Sequence, residues 1–496
     1  MIKDGVKVNF DRIMRVTLWY GAVPATSTSA DTSNPQTVIL EFAPLDNAAY
    51  CPNMQATIND ITNPMNKNGQ PGFTSEFTII NPDDGVRRLI ANNIVWPIFN
   101  EASGTGEDLL KAYYASRVRI KIEAGYWDNE GKIIYDSAGN VVGDTRRAYT
   151  TLFQGVVNSS VSYRKGIDNY LTLECQNFDY NQINQSAIQQ FTDLSNKLQG
   201  KLPEYREETI AESLYRSAGS VRTWDKMAKR LLQGFSVMRP NPEYKTGSAV
   251  TTQAPLIPVT TKDRARTDWY QVIYIYTPAR KDERNEKLRV RLTKMEIPLF
   301  YTTMPNLNDM LYQLSNYHEA NVNFEIDDDY APGLRTLFVW PRGAEIKFTS
   351  APEADIQIVN YQNLLETPSV NGSGSLTIRM MLNPECRPQR SIALRLNDAF
   401  GEDQATAESS VIKANRGLRE SISFSGAGNP YTATIQGAYA LSVYAQQLTR
   451  DDVNNKGYMF NIGFPILRCT HVLQTRGNKW ETTVITIPMA TGIYLE

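Results

Sequence analysis

The chain of 496 residues contains only two histidines, His318 and His471, and its four cysteines lie far apart with no CxxC pair. Two isolated histidines cannot supply a multi-histidine metal site, and scattered cysteines argue against a zinc site or a disulfide framework. We expect the cysteines to pack as small apolar side chains. His318 is expected to end a helix and His471 to lie within a strand, so neither is assigned a catalytic role. The sequence predicts no catalytic residue, metal or cofactor, and the chain is not expected to be an enzyme.

Other signatures of chemistry are also missing. The chain has no P-loop and no GxGxxG motif. The acidic run Asp327-Asp328-Asp329 lacks the alternating ligands, the turn glycine and the distal glutamate of an EF-hand, so we expect a solvated turn before Pro332-Gly333. A pair of carboxylates could hydrolyse a glycan. No pair stands out among 53 acidic residues, and the sequence leaves that alternative open.

Long hydrophobic runs and a strong net charge are absent as well. No segment approaches the roughly 18 apolar residues that a membrane-spanning helix needs. The charged N-terminal stretch lacks the apolar centre of a signal peptide, so we expect the chain to fold in a cytoplasm. The net charge is −2 and the pI is about 6.0. Without a basic bias, neither stable membrane association nor tight binding of nucleic acid is expected, although DNA could pass nearby.

Period-two alternation of apolar residues is what the chain has instead. It occurs three times within Asp355–Leu396, most clearly over Leu376–Leu382, and it predicts strands with one buried face. The segment 117–124 alternates without a break. Val118, Ile120, Ile122 and Ala124 share one face of that strand. The opposite face carries Arg117, Arg119, Lys121 and Glu123.

Four segments of the chain differ in pattern, and the fold class predicted from them is a β-rich α+β protein. Residues 1–182 are mostly strands. Residues 183–262 hold a small helical insertion and a proline-rich linker. Apolar residues recur at helical spacing over 224–235, where Thr223 is expected to cap the start and Gly234 the end. Residues 263–345 combine predicted strands, one of them Leu288–Leu292, with a helix capped by Asn306. Residues 346–496 are strands again, with a polar loop at about 398–430.

An internal echo links the two strand-rich ends. Val161–Gly166 is a strand with a basic turn, and Tyr170 opens the return strand. Val472–Gly477 repeats this arrangement, and Trp480 opens its return strand. Glycine at such a turn permits a positive φ angle. The echo either reflects common hairpin chemistry or marks two related β-barrels.

Three segments, in the same order along the chain, resemble the baseplate hub proteins of contractile phage tails, the family that includes the T-even and Mu-like hubs. The first is Val118–Tyr126 followed by Leu152–Val157, a strand ending in Ala-Gly-Tyr and a Phe-x-Gly return. The second is Ile356–Leu396. The third is His471–Thr486. Together they cover about a quarter of the chain and span it from end to end.

The resemblance implies a homotrimer whose subunits each carry two tail-tube-like β-barrels, here 1–182 and 346–496. Three subunits then form a pseudo-sixfold ring between the hexameric tail tube and the trimeric central spike. The implied partners are the tube protein, the spike protein, the tape measure protein and other baseplate proteins, with DNA only in transit. The implied location is the tail baseplate of a virion assembled in the host bacterial cytoplasm. Any cell-wall hydrolase would be a separate protein.

Under this hypothesis the charged face of Arg117, Arg119, Lys121 and Glu123 lines the lumen or a subunit seam. The other interpretation of that face is a solvated sheet surface. A second hypothesis for the whole chain is a tail protein that binds or degrades host-surface glycans. A third keeps the hub architecture but places it in a related contractile injection machine.

Overall fold

The fold comes from a computed structural model, which describes part of the chain. The described residues are 2–3, 6–7, 11–20, 37–43, 52–61, 72–93, 118–128, 131–135, 141–144, 146–180, 223–244, 254–259, 261–278, 280–297, 306–317, 319–342, 357–360, 364–366, 369–370, 375–395 and 464–486. The sequence also predicts a loop rich in Ser, Thr, Pro and Asn over residues 24–37, of which only Thr37 is described, and a helix marked by Ile210 and Leu214, which lies outside the described residues. The polar loop at about 398–430 and the placement of Cys51, Arg117 and His318 lie outside them as well.

The strands of the first third of the chain are β1 (Ile2–Lys3), β2 (Val6–Lys7), β3 (Arg12–Tyr20), β4 (Thr37–Phe42), β5 (Asn53–Ile61), β6 (Phe73–Ile80), β7 (Val118–Trp127), β8 (Ile133–Tyr135), β9 (Val141–Asp144), β10 (Arg147–Lys165) and β11 (Asp168–Asn177). The later strands are β12 (Met238–Pro240), β13 (Leu256–Pro258), β14 (Tyr270–Tyr274), β15 (Val322–Ala331), β16 (Leu334–Pro341), β17 (Gln357–Asn360), β18 (Ser369–Val370), β19 (Leu376–Met381), β20 (Ser391–Arg395), β21 (Phe464–Gln474) and β22 (Trp480–Thr486). The helices are α1 (Asp84–Asn93), α2 (Trp224–Phe235), α3 (Thr261–Arg264), α4 (Glu286–Lys294) and α5 (Leu307–Ser315), and Phe178–Tyr180 forms a 3-10 turn.

One sheet connects the two ends of the chain. Among the described residues it has thirteen strands, in the order β18-β19-β22-β21-β5-β6-β11-β10-β7-β3-β4, with β20 pairing to β21 and β17 to β20. Strand β21 from the C-terminal part pairs antiparallel with β5 from the N-terminal part, with Arg468 opposite Ile61 and Gln474 opposite Gln55. The protein is mostly β-sheet with few helices, as predicted. The assignment of two separate barrels stays a prediction.

The core beneath this sheet is also shared. Leu473 and Trp480 pack in one apolar cluster with Met54 and Phe77, and α1 covers the same cluster through Leu89. Alternation correctly predicted the buried face of β19, where Ile378 and Met380 are buried and Arg379 between them is partly exposed. Because strands from both ends contribute to one core, burial of apolar surface stabilises the N-terminal and C-terminal parts together.

A second unit packs helices α2, α4 and α5 against the three-stranded sheet β14-β16-β15. The predicted helix α2 is confirmed. The Thr223 side chain caps its start, and the Trp224 indole donates a hydrogen bond to the Leu314 carbonyl at 3.0 Å. Gly234 does not end this helix: α2 continues to Phe235, and Ser236 is the extended C-cap. The core of this unit therefore crosses the predicted boundary at residue 262, although the domain limits themselves stay predictions.

The prediction of a strand at Leu288–Leu292 was wrong, because these residues lie in helix α4. Alternation over five residues fits a strand, but the buried pair Leu288 and Leu292 is also spaced by one helical turn. The Asn285 side chain accepts a hydrogen bond from the Leu288 backbone amide at 3.0 Å and caps the start of the helix. The predicted cap at Asn306 is confirmed in the same way, since its side chain accepts from the Asp309 amide.

Two further predictions need correction. The proline-rich segment 239–262 is more than a linker, since β12 and β13 pair as a two-stranded ribbon. The acidic run Asp327-Asp328-Asp329 is not a solvated turn, because it continues strand β15 and each of its carboxylates takes part in an ion pair. The predicted burial of cysteines is confirmed for Cys175, Cys386 and Cys469.

Candidate functional site

The segment Asn383–Arg390, here called the latch, joins β19 to β20 and contacts three parts of the molecule. Its Asn383 amide donates to the Thr482 hydroxyl of β22 at 2.9 Å. The Arg387 guanidinium donates to the Thr151 carbonyl of β10. The Gln389 side-chain oxygen accepts from the Phe324 amide of β15 at 3.1 Å. The latch therefore ties the C-terminal strands, the N-terminal strands and the α+β unit to one another.

Arg390 is the main charged residue of the latch. Its guanidinium donates to the Glu325 carboxylate at 2.5 Å and to the Glu385 carboxylate at 2.7 Å, and it is almost fully buried. Burial alone would raise the pKa of Glu325, but the charges of Arg390, Lys281 and Arg387 outweigh burial and hold this pKa well below its usual range. Planar, two-sided donation of this kind suits arginine and not lysine.

The charged face of β7 is buried. Arg119, Lys121 and Glu123 are 1%, 1% and 4% exposed, so the solvated-surface interpretation is wrong for these three residues. Lys121 Nζ lies 2.9 Å from Asp329 Oδ1 and 3.2 Å from Glu123 Oε1. Arg15 Nε lies 2.7 Å from Glu123 Oε2. The assignment of this face to a lumen or seam stays a prediction, and within one chain it binds the α+β unit.

The pKa shifts along this face follow from the pairing. Burial opposes the charge of Lys121, but Glu123 and Asp329 raise its pKa above the ordinary value. Burial would likewise raise the pKa of Glu123, and Lys121 and Arg15 lower it instead. All members of this chain of ion pairs are therefore charged at neutral pH. A buried charge keeps its charge only when a partner compensates the loss of water.

The acidic run of β15 distributes its three carboxylates among three cations. Asp327 lies 2.5 Å from Lys281, and Asp329 pairs with Lys121 on β7. Asp328 Oδ1 is 3.3 Å from the buried Arg335, whose guanidinium also donates to Asp179 at 2.5 Å. Two carboxylates thus share one guanidinium. Burial raises the pKa of Asp328 to about 7, and the nearby acidic residues add to that effect against the attraction of Arg335.

A cavity of about 620 Å³ lies between the face of β3, β7 and β10 on one side and β15 with the latch on the other. Its lining is dominated by the charged groups described above and also includes Glu41, Arg147 and Tyr149. Arg147 and the Tyr149 hydroxyl both donate to Glu41, at 2.5 and 2.6 Å. The cavity is the centre of what we call the charged junction: the latch, the charged face of β7 and the acidic run of β15.

One cysteine–histidine pair lies near the junction, and its electrostatics do not suit nucleophilic catalysis. Cys469 Sγ is 3.4 Å from His471 Nε2, and His471 Nδ1 is 2.9 Å from the Thr482 hydroxyl. Burial raises the pKa of Cys469 well above its ordinary value. Burial, with a contribution from Arg387, lowers the pKa of His471 to about 3. Both groups are therefore neutral, whereas an activated cysteine is a thiolate beside a cation.

Two kinds of feature are absent from the described residues. No group of three or more His, Cys, Asp or Glu side chains is arranged to hold a metal ion there. No helix in the described part of the chain is long and apolar enough to cross a membrane.

Comparison with known proteins gives the following. No protein-family model and no curated protein matches the chain. Solved structures similar to it include two that are described as tail proteins. A tail protein from Neisseria meningitidis MC58 is 9% identical, with 95% of this chain and 96% of that chain covered and a TM-score of 0.33. A 43 kDa tail protein of prophage MuSo2 from Shewanella oneidensis is 8% identical, with 96% and 98% covered and a TM-score of 0.28.

The third structure is the E. coli c3393 protein, described as a component of the type VI secretion system with structural similarity to the T4 tail proteins gp27 and gp5. It is 9% identical to this chain, with 90% of this chain and 76% of that chain covered and a TM-score of 0.32.

Sequence reasoning identified the stretch that contains the latch but assigned no role to Arg387, Gln389 or Arg390. One signal was available: two arginines and a glutamate lie between two short strands in a polar, proline-containing segment, ECRPQR. Such a density of charge beside buried strands requires partners. Glu385 is a local partner of Arg390, but Glu325 lies 65 residues from Arg390, and Thr151 lies 236 residues from Arg387. Local patterns carry no information about pairs at that separation.

Proposed function

We propose that this chain is a structural subunit of a phage tail baseplate, a hub that assembles as a homotrimer. The trimer forms a pseudo-sixfold ring that joins the hexameric tail tube to the trimeric central spike. Tape measure protein and DNA pass through its lumen. The partners are the tube, spike, tape measure and other baseplate proteins, the location is the virion tail, and assembly takes place in the host cytoplasm.

The observation that carries the proposal is the continuous sheet that runs from the C-terminal strands through β21 and β5 into the N-terminal strands. A ring subunit has to carry force and keep its shape while other components move through it. Antiparallel pairing over seven residue pairs, from Arg468–Ile61 to Gln474–Gln55, joins the two ends into one sheet. Separate domains on a flexible linker would move against each other instead.

The charged junction supports the same role. It fixes the α+β unit to the sheet through Lys121–Asp329 and through Arg335–Asp179, and the latch adds contacts to both. Buried ion pairs contribute little net stability compared with apolar packing, but each one is satisfied in only one arrangement. We infer that the junction sets the orientation of the α+β unit on the ring.

Glycan degradation is the second candidate, and one observation favours it. Asp328 has a raised pKa of about 7 while Glu325, which also lines the cavity, has a lowered one. Carboxyl groups with pKa values moved apart are typical of glycosidase acid–base pairs. Against this, Glu325 is engaged by Arg390 and Lys281, and Asp328 lies against Arg335, so neither is free to act on a substrate.

Mass measurement and electron microscopy test the proposal. The purified chain should give trimers whose fraction rises with concentration, and class averages should show a three-lobed ring with a central pore. A chain that remains monomeric at high concentration, and also after purified tube and spike proteins are added, contradicts the hub proposal. A zymogram with bacterial cell walls tests the alternative, and clearing that is lost in Asp328→Asn would support the enzyme.

A further inference from the structure

Two hairpins of the sheet are built alike but end in different surroundings. In the β10–β11 hairpin, Tyr163 pairs with Tyr170 across the strands. In the β21–β22 hairpin, Leu473 pairs with Trp480. In each hairpin six residues lie between the two members of this pair, 164–169 in the first and 474–479 in the second. The sequence echo is therefore matched by an equal hairpin length and by an apolar pair at the same position.

The tip of the second hairpin docks within its own chain. Thr475 forms hydrogen bonds in both directions with the Met54 backbone of β5, at 2.9 and 3.0 Å. Arg12 of β3 donates to the Gly477 carbonyl at 2.6 Å, and its guanidinium lies over the Trp480 ring at 5.7 Å. Leu473 and Trp480 are buried as a result. The C-terminal hairpin thus rests on strands of the N-terminal part.

The tip of the first hairpin is exposed to solvent although it is the more apolar of the two. Val161, Tyr163 and Ile167 are 52%, 47% and 87% exposed. The rings of Tyr163 and Tyr170 stack with their centroids 5.0 Å apart. Strand β10 pairs with β7 only as far as Val156, so the hairpin extends past its neighbour in the described sheet. A projecting group of aliphatic and aromatic side chains is typical of a protein–protein contact.

We propose that the tip Val161–Tyr170 docks onto the C-terminal strands, β17 to β22, of a second copy of this chain. The docked second hairpin supplies the argument for this partner. If related N-terminal and C-terminal units alternate around a ring, each hairpin meets the unit that follows it. For the second hairpin that unit lies in the same chain, and for the first it lies in the next chain. Such a contact joins two different surfaces, which is the type of interface that closes a ring.

This inference rests on the proposed trimeric function, and the first test measures assembly. Ile167→Asp places a charge at the most exposed apolar position of the tip, and we expect it to weaken trimer formation at least tenfold. The matched control is Val290→Asp, since Val290 is an aliphatic residue 43% exposed on helix α4. That variant should assemble like wild type. Circular dichroism and thermal melting establish that both variants fold, and mass photometry across concentrations gives the association constants.

The second test identifies the surface that the tip contacts. A photoreactive benzoylphenylalanine at position 167 is introduced into isotopically labelled chain, which is mixed with unlabelled chain before irradiation. We expect crosslinks between the labelled position 167 and unlabelled peptides from strands β17 to β22. Crosslinks confined to one chain, or to other residues of the second chain, would overturn the inference. Crosslinks that form only after tube or spike protein is added would overturn it too, because they assign the tip to that protein.

The outcomes separate this inference from the proposed function. A wild-type chain that stays monomeric contradicts both. A wild-type trimer that Ile167→Asp leaves intact contradicts the tip contact alone. A trimer that both Ile167→Asp and Val290→Asp weaken equally also contradicts it, since the effect would then not be specific to the tip.

Discussion

Lys121 and Asp329 lie 2.9 Å apart, although 208 residues separate them in the sequence. The lysine belongs to the central sheet and the aspartate to the α+β unit, so this ion pair crosses the junction between the two. The Thr151 hydroxyl also donates to Asp329, at 2.5 Å. The pair can therefore form only when the sheet and the α+β unit are packed against each other.

Replacing Lys121 with methionine should destabilise the protein by roughly 3 kcal/mol, because Asp329 loses its buried cation while the methionine keeps the packing. Urea unfolding of the purified protein measures the change. The control is Arg289→Met, which breaks the exposed pair with Glu286 on α4. That change should cost less than about 1 kcal/mol. Equal losses for the two variants would show that the Lys121 pair is no more important than a surface pair.

Asp328 should make stability fall as the pH rises. Its pKa is about 7 in the folded protein, above the ordinary value of 3.8, so the folded state binds the extra proton between those values. The contribution of Asp328 is complete at low pH and is lost as the pH rises through 7, with a slope on the order of 1 kcal/mol per pH unit. Asp60, whose pKa burial raises to about 7, acts in the same direction.

The test compares the wild-type protein with Asp328→Asn by denaturant unfolding between pH 5 and 8. His471 has a lowered pKa of about 3, so its contribution to the stability of the folded protein decreases as the pH falls. This decrease partly masks the trend expected for the wild-type protein. For this reason the difference between the two proteins is the quantity to measure. It should shift in favour of Asp328→Asn as the pH rises. The exposed Asp268→Asn is the control, and a difference for Asp328→Asn that is as flat with pH as the control refutes the prediction.

Gly155 lies where two strands approach too closely for a side chain. A Cβ atom there would come within 2.2 Å of the Gln176 carbonyl oxygen on β11. Gly155→Ala should therefore cost roughly 3 kcal/mol, since backbone must move to accept the methyl group. Gly234→Ala is the opposite case, because α2 leaves open space around that glycine. It should stabilise the protein by up to about 1 kcal/mol. Thermal melting of both variants tests the pair, and stabilisation by Gly155→Ala would contradict the packing.

Asn285 should stabilise helix α4, the element that alternation predicted to be a strand. Asn285→Ala removes the oxygen that accepts from the Leu288 amide and should cost about 1 kcal/mol. Asn285→Ser retains a capping oxygen and should recover most of that loss. Chemical denaturation gives both values. If serine were no better than alanine, the side chain would have a role other than the cap.

Some elements follow from sequence because their causes are local. Period-two alternation located β7 and β19, since successive side chains of a strand point to opposite faces. Thr223 and Asn306 marked helix starts because a capping side chain bonds to amides two or three residues ahead. The same reasoning failed at Leu288–Leu292, where five residues fit either period and packing against α2 decided for a helix.

The sequence by itself determined a β-rich chain with two similar hairpins, few helices and no familiar catalytic signature. Only the tertiary structure decided where its charges lie. Arg119, Lys121 and Glu123 had to alternate with apolar residues on β7, but alternation cannot distinguish a solvated face from one covered by another unit. That choice depends on Asp329, which pairs with Lys121 of β7 from 208 residues away, and on the latch, whose Arg387 reaches Thr151 of the neighbouring strand β10 from 236 residues away. Because a buried charge loses its contact with water, it is stable only when such partners compensate that loss. Only the fold brings these partners together.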